Sequence, residues 1–126
     1  MSHSNTYLMA LLLALPCAAS GGEADVISAR AIRAANGSFN FEVTIRSQDR
    51  GWDHYADRFE VLAPDGTVLG VRQLAHPHVD EQPFTRELNG VLVPDTLDTV
   101  VIRAHHHPRS YSMTAQRCNW SCRDNG

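Results

Sequence analysis

The chain of 126 residues carries 11 basic and 14 acidic side chains, and its formal net charge is −3 with seven histidines counted as neutral. At roughly 100–200 residues per domain this is one domain, too short for an enzyme with a separate cofactor lobe. A hydrophobic share of 43% and a charged share of 20% are those of a globular chain, and scattered Arg on a mildly acidic body offers no basic stripe to a nucleic-acid backbone.

Tyr7 to Leu15 is a run of nine apolar residues, followed by Pro16 and the small-residue stretch Cys17 to Gly22. Such a run is too short to cross about 30 Å of hydrocarbon, but it has the form of a secretory signal core. Residues 1–19 are therefore expected to be a cleaved signal peptide, cut after Ala19 or Ser20, with the mature protein periplasmic or secreted and not an integral membrane protein. Lipidation of Cys17 is disfavoured, because Ala14 and Pro16 stand where such signals carry Leu and a small residue. Loss of the leader leaves Cys118 and Cys122, which an oxidising compartment favours as a pair. A bridge across so short a loop constrains little chain entropy.

The first expected strand, Ala24 to Ala34, places Ile27, Ala29 and Ala31 on one face. Asn36-Gly37 then turns the chain, because both residues tolerate positive φ. Ser38 to Ser47 is the clearest strand: Phe39, Phe41, Val43 and Ile45 alternate with Asn40, Glu42, Thr44 and Arg46. Arg58 to Ala63 follows with Phe59 and Val61 on one face, then the Pro64-Asp65-Gly66 turn and a run from Thr67 to Leu74. Phe84 to Leu88, Leu97 to Ala104 and Ser110 to Gln116 complete the set, with Val91 to Val93 expected beneath the core. Strands this short and evenly spaced, with no helix between them, predict an all-β fold. The expected architecture is an immunoglobulin- or fibronectin type III-like antiparallel β-sandwich of about seven strands over 24–117, with 118–126 as a C-terminal tail.

Lettering the strands A, B, C, C′, E, F and G sends the B–C, C′–E and F–G connections to the same end of the sandwich. Those connections hold His54, His76, His78, His105, His106 and His107, six of the seven histidines. Neutral imidazole is a ligand for zinc and copper. The candidate metal ligands are His54, His76, His78, His105 and His107. In an extended segment His105 and His107 share a face, which leaves His106 to face water. Asp53 or Asp57 could orient His54. The alternative is a metal-free module that offers Trp52, Tyr55 and Phe84 to a protein partner, although a Trp at the start of strand C is also where a sandwich commonly buries one. No Gly-x-Ser-x-Gly context places a nucleophile, and Asp80-Glu81 are adjacent and point apart, so no enzyme is expected. Clustered imidazoles repel one another when protonated, so this end is expected to loosen below about pH 6.5.

Gly51 to Arg86, and within it WDHYAD and HPHVDEQPFTR, resembles the central block of a group of small exported bacterial proteins of uncharacterised function. The resemblance covers roughly Ile27 to Ala104. It implies a periplasmic immunoglobulin-like domain and carries no activity, ligand or functional residue.

Overall fold

The computed structural model describes residues 23–108, 110–111 and 116–119. The expected leader, Cys17, Met113, Ala115 and Cys122 lie outside the described residues. The elements are β1 (Ala24–Arg33), β2 (Phe39–Ser47), β3 (Tyr55–Leu62), β4 (Val68–Gln73), β5 (Phe84–Val91), β6 (Thr99–His107), β7 (Ser110–Tyr111) and β8 (Gln116–Asn119). They form two antiparallel sheets, one ordered β1-β2-β5 and the other β4-β3-β6-β7, with β8 also on β6. β7 pairs with the His105–His106 end of β6 and β8 with its Thr99–Ile102 end, so the two are successive pieces of one edge. Counted that way, the molecule is the antiparallel sandwich of seven strands expected from the sequence, and its sheets are A-B-E and C′-C-F-G in that lettering.

Alternation builds the core. Phe39, Phe41, Val43 and Ile45 of β2 meet Phe59 and Val61 of β3 and Val100, Ile102 and Ala104 of β6, each at most 3% exposed. Burying a large apolar side chain of this kind stabilises by about 1.5–3 kcal/mol. The β1–β2 turn closes with Gly37 donating its N–H to the Ala34 carbonyl at 3.0 Å. Gly37 has φ 91°, where a side chain is strained.

Several strand bounds differ from expectation. β1 has a bulge between Val26 and Ser28, so Ala24 and Val26 are its buried residues and the regular alternation begins after it. Val91 lies in β5 and is buried, but Leu92 is 78% exposed rather than beneath the core. β3 starts at Tyr55 and β6 runs to His107, because Tyr55↔His107 and Ala56↔His106 continue their ladder. The His triplet therefore belongs to a strand instead of a loop. β8 runs through Cys118, across the boundary drawn at 117/118.

Candidate functional site

The β2–β3 and β4–β5 connections meet the His105–His107 end of β6 at one end of the sandwich, and a buried carboxylate joins the two connections. Asp49 follows β2, and its Oδ1 accepts the Ala56 N–H at 2.9 Å and the hydroxyl of Ser47. Its Oδ2 accepts the backbone N–H of His78 at 2.7 Å. Gln82 adds a second tie, accepting the Ser47 N–H and donating to the His78 carbonyl, both at 2.8 Å. Between Asp49 and β3 the chain makes a tight turn in which His54 donates its N–H to the Gly51 carbonyl at 3.1 Å. Gly51 has φ 145°, which suits glycine. This turn lifts Trp52 into solvent and brings His54 back towards the sheet.

β6 supplies the deepest group. Alternation through Val100, Ile102 and Ala104 carries on to His106, which is 0% exposed instead of facing water. Its Nδ1 lies 3.3 Å from Ser47 Oγ, and its Nε2 is 4.0 Å from Glu23 Oε1. The His54 and His106 rings are stacked with centroids 6.1 Å apart. His54 Nδ1 and His106 Nε2 are buried without a hydrogen-bond partner. Glu23, His54 and His106 each present a ligand atom within 4.8 Å of the other two, and among the described residues they are the one such group of three. Bound to zinc at about 2.0–2.1 Å, tetrahedral ligand atoms stand about 3.4 Å apart, so shifts of about 1 Å would close the group on an ion. Burial holds the His106 imidazole below the usual histidine range, which favours the neutral, ligating form.

Of the five expected ligands, His54 enters this group and the others go elsewhere. His78 is buried and stacked on Phe84 at 4.0 Å. Its Nε2 faces Arg86 Nη2 at 3.0 Å. Guanidinium can only donate, so that nitrogen is occupied as an acceptor and the ring hydrogen sits on Nδ1. Burial, followed by the Arg86 charge, lowers its pKa. His76 is exposed, donates Nδ1–H to the Pro77 carbonyl at 2.9 Å, and lies 4.6 Å from the His78 ring. His105 points to the outer face of its sheet and bonds Asp57 Oδ1 at 2.8 Å. It sits there beside a charged cluster, in which Glu60 Oε2 accepts from Arg58 Nε at 2.9 Å and Oε1 from Arg103 Nε at 2.8 Å. Burial alone would raise the Glu60 pKa, but the two arginines outweigh it and lower it. His107 is exposed, with its ring 5.8 Å from that of Tyr55.

Of the three expected partner-binding residues, Trp52 is 63% exposed rather than in the core and packs edge-on against half-buried Tyr55 at 5.5 Å. Phe84 is 2% exposed and belongs to the core. Three residues of this end escaped the sequence reading. His106 was discoverable from the period-two pattern ahead of it. Glu23 and Asp49 carry no comparable signal.

No protein-family model matches the chain, and no solved structure matches it significantly. A Halomicrobium mukohataei protein named "Putative lipoprotein" is 36% identical over 89 residues, which are 71% of this chain and 43% of that protein. The chain thus spans less than half the length of this relative. Among the described residues no helix is long and apolar enough to cross a membrane.

Proposed function

We propose that this chain is an exported binding module, and not an enzyme, that holds one zinc or copper ion at the loop end of its sandwich through Glu23, His54 and His106. The carrying observation is the convergence of these three groups with two buried, unpartnered imidazole nitrogens among them. A nitrogen-rich set with one carboxylate suits zinc or copper better than calcium or magnesium, which take oxygen ligands. The apolar leader and the name of the Halomicrobium relative support export to the cell envelope. Mass spectrometry of the mature protein separates a start near residue 20 from a lipidated Cys17.

Equilibrium dialysis of the folded chain against zinc and copper tests the site. One equivalent should bind, and His54→Ala or Glu23→Gln should weaken uptake at least about tenfold while His76→Ala leaves it unchanged. Absence of stoichiometric uptake, or uptake indifferent to His54→Ala, overturns the reading.

A second reading rests on Trp52, whose exposure beside Tyr55 and His107 makes an aromatic patch at the same end. Such residues anchor protein interfaces. It predicts partner capture that Trp52→Ala abolishes and chelators leave intact.

A further inference from the structure

His106 turns Nε2 towards Glu23 and Nδ1 towards Ser47, and the bonds behind it bear on which of the two nitrogens carries the hydrogen. Asp49 has both carboxylate oxygens engaged by backbone N–H groups, Oδ1 by Ala56 and Oδ2 by His78, and these groups can only donate. Its side chain is 0% exposed, so no water competes for the remaining lone pairs. Ser47 has a single hydroxyl hydrogen, and its closest polar contact is Asp49 Oδ1. With that hydrogen given to the carboxylate, the Ser47 oxygen can only accept from its other neighbour, His106 Nδ1 at 3.3 Å. A hydrogen on Nε2 instead would set two lone pairs against each other in a buried site, where an unmet contact is most costly.

We infer that Asp49 and Ser47 form a relay that fixes His106 as its Nδ1–H tautomer, so that the Nε2 lone pair points at Glu23 and is ready for an ion. Both are positioning residues: neither reaches the metal, and each acts through the ring of His106. A carboxylate that holds the far nitrogen of a ligating histidine is a recurrent device, and here a serine hydroxyl is interposed. The structure matches this role, because Nε2 is the nitrogen of His106 left without a hydrogen-bond partner. This inference rests on the metal-binding reading for its purpose, but the tautomer exists without metal.

The test is long-range proton–nitrogen correlation NMR on the full chain, nitrogen-15 labelled and metal-free at pH 8. His106 should show a protonated Nδ1 and an unprotonated Nε2. In Ser47→Ala the preference should be lost and zinc affinity should fall about 10–100-fold, while Ser47→Thr, which keeps the hydroxyl, should retain both. An Nε2–H tautomer in the unaltered chain overturns the relay whatever zinc does, and needs no variant to fold. A tautomer unmoved by Ser47→Ala overturns it too, as does a tautomer change that leaves zinc affinity intact. An Nδ1–H tautomer in a protein that takes up no zinc upholds the relay and sinks the metal reading.

Discussion

The carboxylate of Asp49 and the backbone N–H of His78 meet at 2.7 Å, joining the turn after β2 to the crossover ahead of β5. Asp49→Ala would leave two backbone donors and the Ser47 hydroxyl unmet in a dry site. A buried donor left without its partner costs about 1–3 kcal/mol, so the variant should lose about 3 kcal/mol or more in urea unfolding. Asp53→Ala, at an exposed position of the same loop, should stay within about 0.5 kcal/mol. Equal losses in the two variants would contradict this role for Asp49.

Acid should weaken the fold in two stages. His78 and His106 have pKa values lowered in the folded state, so the unfolded chain binds protons first as pH falls. Stability should therefore be flat above about pH 7, begin to fall near the ordinary histidine value of about 6.5, and level off once the folded imidazoles also titrate. Glu60 has the opposite chemistry, since its lowered pKa contributes stability above the ordinary carboxylate range. That contribution is lost at lower pH, as the carboxyl protonates first in the unfolded chain and then in the folded one. Urea midpoints from about pH 8 to about pH 2 give the curve. Glu60→Gln should shrink the lower stage, to which Asp65 also contributes because the Thr67 backbone N–H lowers its pKa, and keep the upper one.

Zinc should stabilise the folded chain in proportion to its occupancy. With free ion at a hundredfold its dissociation constant, the gain is about 2.7 kcal/mol. Thermal unfolding with and without zinc reads this directly, and the increment should vanish in His54→Ala. An equal gain in that variant would place the ion elsewhere.

Gly51→Ala should disturb the site without a clash. A Cβ at Gly51 meets nothing within 4 Å, so the cost is the backbone conformation, with φ at 145°. A left-handed conformation costs a residue with a side chain about 1–2 kcal/mol. The turn should open and displace His54, so zinc affinity should fall more than global stability does. A variant with unchanged zinc affinity would show that the turn does not position His54.

Strand order was legible because alternation survives in Phe39 to Ile45 and in Val100 to Ala104, and turn residues separate the runs. From that order came the convergence of the histidine-bearing connections at one end. Side-chain direction at the ends of strands was not legible in the same way. The ladder between Tyr55 and His107 extends both partners past the residues that look like strand, and this turns His106 inward. Ala56, which pairs with His106, takes the inward position on β3, and Trp52 is left on the turn outside. Asp49 reads like any loop aspartate, since only the fold shows which donors surround it. Glu23 precedes the first alternating residues, and it reaches the site because Ala24 pairs with Ser47 at the start of β1.

The Pro64-Asp65-Gly66 turn, exposed between β3 and β4, lies at the opposite end from His54, His78 and His106. It is thus a natural handle: a fluorophore or surface linker attached through Asp65→Cys would leave the end that carries Glu23, His54 and the buried His106 unobstructed. Tethered there, the domain could be titrated with metal or partner while the linker stays away from the site.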